Sequence, residues 1–508
     1  MLPSSLVSLL WLLQLAWAFV PLTPSYINNK KKFSVWSKQK PPKGYKETAG
    51  LISKKIQKDA AVSTNDGSFT LSTGISFIFS DADEYAYYVN AGIGSSDFPL
   101  LIDTGSAYLW VYDSECNDDS CSDKPLYSAS SSGSSSSSKT FDLSYNTGTA
   151  SGIIVQDDVT IANVEAESFS FGAASVVPDL FQDYPFSGIL GLSAGNESSS
   201  NLINIVDYLY KNGTIDAAKF ALCMSNYVVD DSLQAYGNNS GLLILGSDQP
   251  DLYIDPIYST DILTDSSNHW EVKIDKIFVD DYQLQFQALK IPDYGSSNIS
   301  RIGLLDSGTT SIILSSKDAI TLHSCFANSE SDGTQYAIYC NTTSVVSLDI
   351  AGHNWTITSD QYLGTAYSED SGLSGYCVSN FQGLDSTTDG SWILGNIFLK
   401  SYYVEFDYAN AKVGFAERAD NVVVTKGSQD SLAITSSGAE SSAGSSAFSS
   451  TACTSYFNSS SSTLTSSSAN ASSTSSNSTS STSDSKASAA PLLPSFFLLS
   501  IMLASYLI

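Results

Sequence analysis

The sequence predicts a mostly β protein of two related lobes around a shared cleft, and two observations carry that prediction. Residues 60 to about 420 consist of short alternating or apolar runs rich in Tyr, Val, Ile and Phe, broken by Gly, Asn and Asp, the pattern of strands and turns. Within them one motif occurs twice, 203 residues apart: Leu101, Ile102, Asp103, Thr104, Gly105, Ser106, and again Leu304, Leu305, Asp306, Ser307, Gly308, Thr309. Each copy is trailed by a second shared element, Gly188, Ile189, Leu190, Gly191 after the first and Trp392, Ile393, Leu394, Gly395 after the second. Duplication at this distance implies two similar units, each delivering one Asp to a common cleft.

In chain order, residues 1–18 read as a secretory signal peptide. The apolar stretch from Leu6 ends in Ala16, Trp17, Ala18, a small-residue cleavage site, and the run is too short to span a membrane. Residues 19–60 are expected to be a basic pro-segment: ten Lys between 28 and 59 face only Glu47 and Asp59, with a dibasic pair at Lys54 and Lys55. Cationic runs are ordinarily solvated faces. This one stands directly before a strongly acidic body, so a removable segment held by charge is the sharper expectation. A Lys from it would lie against the ionised Asp pair at neutral pH and leave when acid protonates the body's carboxylates.

An N-terminal catalytic lobe is expected at 61–250 and a C-terminal one at 251–420. Two helices are predicted, one over Asn201 to Lys211 and one capped by Ser315 or Ser316 and running to Phe326. Residues 421–490 are expected to form a stalk, because 36 of the 61 residues from 428 to 488 are Ser or Thr and only four are charged. Residues 491–508 form an apolar tail with nothing charged after it, the pattern of a glycolipid (GPI) signal rather than a span. Asn477, followed by Ser478 and Thr479, is the expected lipid attachment point, with Ser480, Ser481 or Asp484 as near equivalents. Nine N-x-[ST] sequons give mild support for secretion.

Composition excludes several functions. The chain carries -28 at neutral pH, and since residues 28–59 contribute +8, the remainder carries -36. Phosphate binding needs clustered cations, so no nucleic acid is expected. Three His and no C-x-x-C pair leave little from which to build a metal site, so neither metal nor cofactor is expected.

The two Asp motifs supply a chemistry instead. Two carboxylates within hydrogen-bond reach cannot both ionise easily, so they share one proton. One then acts as general base on a bound water while the other, protonated, polarises a scissile carbonyl. A lone D-[ST]-G means little; Asp370, Ser371, Gly372 matches too, but its polar flanks mark a loop.

With these motifs the chain resembles the pepsin family of aspartic proteases over about residues 85 to 418. The resemblance implies a bilobal β fold with Asp103 and Asp306 as the catalytic dyad and polypeptides as substrates. It also implies that Thr104 and Ser307 brace the two loops, that Ser106 and Thr309 hydrogen-bond the carboxylates, and that Gly105 and Gly308 complete the turns. Trp110 matches the aromatic that supports the flap, and Tyr145, with Asn146, Thr147 and Gly148, matches the flap itself. Asn146 replaces a common flap Gly, and Gly94 is followed by Ser95 and Ser96 where the family has Thr-Pro.

Family disulfides are implied for Cys116 with Cys121 and for Cys340 with Cys377, in keeping with an oxidising compartment. Cys223 and Cys325 read as buried free thiols, and Cys453 as unpaired or intermolecular. Stalk and anchor most resemble fungal surface proteases of the yapsin type, which cut next to Lys or Arg. The acidic loop of Asp113, Glu115, Asp118, Asp119 and Asp123 would suit basic substrates, although a solvated loop explains it as well. A monomer is expected.

Two rivals stand beside this reading. Stalk, anchor and sequons would equally suit a wall protein or adhesin without catalysis. Gly191, Leu192, Ser193, Ala194, Gly195 spells the nucleophile elbow of a serine hydrolase, which requires a strand followed at once by a helix.

Overall fold

The computed structural model describes residues 20–21, 74–426 and 432–436, apart from internal stretches at 82–83, 85, 129–134, 146–147, 179–180, 183, 196–201, 226, 230, 264–267, 287–299, 333–334, 385–389 and 420–421. It is mostly β and bilobal, and the aspartate loops follow from strand pairing.

Strand Ser96–Asp103 is buried at every position from Phe98 onward, because its run of Phe98, Leu100, Leu101 and Ile102 suits a strand covered on both faces. It pairs antiparallel with Tyr87–Ile93 and parallel with Gly188–Gly191, and the latter pairs antiparallel with Trp110–Tyr112. The second lobe repeats the arrangement: Arg301–Leu305 runs parallel to Ser391–Leu394, which pairs antiparallel with Ile312–Leu314. Each Asp motif therefore lies beside its Ile-Leu-Gly element, which explains why the two recur together. A Cβ on Gly191 would stand 2.3 Å from the Tyr108 nitrogen, and one on Gly395 would stand 2.4 Å from the Thr309 and Ser311 carbonyl oxygens. Only glycine lets these strands pass so close to the backbone that follows each Asp.

The lobes share a core rather than a tether. Strand Lys219–Cys223 pairs with Gly241–Leu245 on one side and with Tyr402–Asp407, from the far end of the chain, on the other. Phe220 stacks on Phe406 at 4.6 Å, and Trp270 packs edge-on against both. The Trp270 indole donates to the Leu192 carbonyl at 2.7 Å.

Both predicted helices form, shorter than expected. The first is Ile205–Lys211, because Asn204 is extended and its side chain caps the Val206 N–H, placing the start inside the expected span. The second is Ser316–His323, capped by the Ser315 hydroxyl. The stalk boundary expected at 421 falls inside folded structure. Val422–Lys426 and Leu432–Ser436 form a hairpin that pairs in parallel with Val228–Val229, and Val422 and Val424 are buried against Tyr227, Leu233 and Leu252. Three consecutive valines outweigh the polar composition that follows them. Residues 20–21 pair with Glu330–Ser331 at a sheet edge of the second lobe. Among the described residues no helix is long and apolar enough to cross a membrane.

Candidate active site

Both Asp loops close in the same way, each carboxylate accepting one backbone N–H and one hydroxyl. Asp103 accepts the Gly105 N–H at 2.9 Å and the Ser106 hydroxyl at 2.6 Å; Asp306 accepts the Gly308 N–H at 2.9 Å and the Thr309 hydroxyl at 2.7 Å. Between the loops, the Thr104 N–H donates to the Ser307 hydroxyl at 3.0 Å and the Ser307 N–H to the Thr104 hydroxyl at 2.9 Å. Each hydroxyl then donates across the lobe boundary, Thr104 to the Leu305 carbonyl at 2.9 Å and Ser307 to the Ile102 carbonyl at 2.8 Å. Each buried hydroxyl thus donates once and accepts once. Removing either would strand a partner of the other at a cost of about 1–3 kcal/mol.

This lock holds two buried carboxyl groups close enough for each to feel the other's charge. Burial first, and the neighbouring Asp103 charge second, push the Asp306 pKa well above the ordinary carboxylate range; Thr309 and Gly308 pull it partly back. The proton belongs to the pair rather than to one oxygen.

Trp110 and Tyr145 meet in the first lobe. The Trp110 indole donates to the Tyr145 hydroxyl at 2.9 Å, and its ring stacks between Tyr112 and Phe181 with both centroids at 5.9 Å. Tyr145 ends strand Ser135–Tyr145 and faces Gly148, the first residue of Gly148–Ile161, so it stands at the tip of a hairpin. Asn146 and Thr147 lie outside the described residues, as does Asn477.

Cys116 is bonded to Cys121 and Cys340 to Cys377. Cys223 is buried and free, 2.8 Å from the Tyr227 hydroxyl. The expectation for Cys325 is corrected: it is buried but disulfide-bonded, and burial alone does not separate a thiol from a half-cystine. Strand Gly188–Gly191 is followed at once by non-helical residues 192–195, and among the described residues no helix precedes Ile205; the Ser193 hydroxyl donates to the Gly195 carbonyl at 3.1 Å, so the strand-to-helix elbow is not formed there. Asp370 and Ser371 belong to a short helical turn.

Two supports escaped the sequence reading. Buried Asn396 donates to the Ser307 carbonyl at 3.0 Å, and its position directly after Gly395 was the available signal. Arg301 heads the strand that delivers Asp306, with two nitrogens on Asp318 at 2.5 and 2.6 Å, and Trp392 donates to the same carboxylate at 2.8 Å. Arg301 is one of only two arginines in the chain, which could have singled it out.

Comparison with known proteins agrees with this geometry. The family model for eukaryotic aspartyl proteases matches residues 84–418. The chain is 30% identical to cathepsin E of Aquarana catesbeiana over 66% of its length and 79% of the relative. It is 29% identical to pepsin A of Sus scrofa, covering 66% and 81%, and 28% identical to the aspartic-type endopeptidase ctsD of Aspergillus fumigatus, covering 66% of each. Two lobes repeating one aspartate loop, and a match spanning both, place this chain in the eukaryotic aspartyl protease family as an aspartic-type endopeptidase.

Proposed function

We propose that the protein is a secreted aspartic endopeptidase held at the cell surface by its C-terminal tail, made as a zymogen and cutting next to Lys or Arg. Asp103 and Asp306 are its catalytic dyad, and the observation that carries this is the reciprocal Thr104–Ser307 lock, which holds two buried carboxyl groups on matching loops. A water bound between them gives a proton to the ionised carboxylate and attacks the scissile carbonyl carbon. The protonated partner gives its proton to the carbonyl oxygen, and collapse of the tetrahedral intermediate sends a proton to the departing amine. Tyr145, held by Trp110, covers the substrate.

Basic specificity is supported by the Cys116–Cys121 loop, which follows directly on strand Trp110–Tyr112. Glu115, Asp118 and Asp119 are exposed there and line an open concavity of about 670 Å³ with Asn117 and Ser175. Asp113 plays another part: it is buried and accepts the Glu115 N–H at 2.8 Å. The same acidity gives the Lys-rich residues 28–59 something to bind. Secretion is supported by four sequon asparagines, Asn212, Asn238, Asn341 and Asn354, all exposed.

The test is a cleavage profile of the full chain on a peptide library at several pH values, with and without a statine-type inhibitor. Cuts beside Lys or Arg, weakened by salt and by Glu115→Gln with Asp118→Asn, are expected. Cuts flanked by Phe or Leu and indifferent to salt contradict the specificity, and inhibitor-resistant cutting contradicts the dyad.

A further inference from the structure

Seven cysteines can be assigned almost entirely from the described residues. Cys116–Cys121 and Cys340–Cys377 are closed, and Cys223 is free. Cys325 is disulfide-bonded. It lies just past helix Ser316–His323, its N–H donates to the Leu322 carbonyl at 3.1 Å, and it is 2% exposed, which leaves no approach for a cysteine of a second molecule. One cysteine of the chain is left to pair with it, Cys453.

We infer that Cys325 and Cys453 form a disulfide that ties the C-terminal extension to the second lobe and fixes the point at which the Ser/Thr-rich stalk leaves the body. The reach is sufficient: hairpin Val422–Lys426 and Leu432–Ser436 is already docked, and the 17 steps from 436 to 453 span up to about 55–60 Å when extended. Bond formation takes two electrons and two protons from the two thiols, by exchange with a disulfide donor of the secretory route; a dithiol reverses it and restores both thiols. The stalk then begins at 454. A proteolytic nick between 437 and 452 leaves everything downstream covalently attached to the catalytic body, and only a reductant frees it. The extension thus becomes a retention device released by a cut and a reduction together, whatever the tail itself is fixed to.

Thiol counting and a placed nick test this on the full chain. Trypsin with a Glu-specific protease isolates Cys325 in fragment 318–330 and Cys453 in 441–486. Without reductant these two fragments are expected to be joined. Wild type should expose one alkylatable thiol after denaturation, Cys223, while Cys453→Ser and Cys325→Ser should each expose two. Cys453→Ser lies beyond the folded hairpin and keeps the test open should Cys325→Ser fold poorly. With a protease site inserted between 437 and 452, the cut tail should remain with the body until a reductant is added. Three thiols in wild type, a non-reducing dimer abolished by Cys453→Ser, or tail release by the cut alone would each overturn the inference.

Discussion

In the first lobe the strand that follows the Asp103 loop carries Trp110, which pins Tyr145 at a hairpin tip; in the second the strand that delivers Asp306 starts at Arg301, in a buried cluster with Asp318 and Trp392. The bonds that each carboxylate makes inside its own loop are the same to within 0.1 Å. What differs is outside the loops. Symmetric chemistry needs two equivalent loops, whereas their surroundings can differ, with a Trp110–Tyr145 pair in one lobe and a buried ion pair in the other. Duplication supplied the first, and divergence of the surrounding residues supplied the second.

If the loops are equivalent in chemistry, Asp103→Asn and Asp306→Asn should be equally damaging, each lowering kcat by at least about 10²–10⁴-fold with folding retained. A large difference between them in peptide hydrolysis would break the comparison. The second lobe's buried ion pair is the next largest effect. Asp318→Asn or Arg301→Met leaves one member of a buried pair uncompensated and should cost about 3–5 kcal/mol in denaturant unfolding.

The pH dependence of stability separates the two loops further. Asp306 has its folded pKa raised from 3.8 to about 8, so the folded state holds the proton more tightly than the unfolded chain. That contribution is fully present below 3.8 and is lost as pH rises toward about 8. Because His323 offsets this loss up to its ordinary value of 6.5, thermal melts of wild type should weaken between about 6.5 and 8, and Asp306→Asn should remove that decline. His323 acts with opposite sign: burial lowers it to about 3, so its contribution is complete above 6.5 and lost as pH falls. Together they confine maximal stability to intermediate pH. The smallest effect belongs to the flap. Tyr145→Phe removes one hydrogen bond from Trp110 and should cost about 1 kcal/mol of stability, with a larger loss in kcat/KM than in melting temperature.

The legibility of this molecule in its sequence follows the same division. Asp103, Thr104, Gly105 and Ser106, their second-lobe counterparts and the Ile-Leu-Gly elements were readable because each is local, and because their repetition turns weak motifs into a strong one. Tyr145 and Trp110 were readable only through family resemblance, since 35 residues separate two groups that meet in space. Arg301 with Asp318, the docking of Val422 and Val424, and the bonded state of Cys325 depend on tertiary partners that no local pattern specifies. One helix start failed for a smaller reason: the first helix is capped by Asn204 rather than by Asn201, a residue of the same type, and the apolar period alone does not choose between them.

The central claim is that the two loops hold one proton between two buried carboxyl groups. Difference infrared spectroscopy at neutral pH between wild type and Asp306→Asn reads that proton directly. The account predicts that wild type shows a buried carboxylic-acid C=O band that the variant lacks. A difference spectrum showing only the loss of an ionised carboxylate would contradict it.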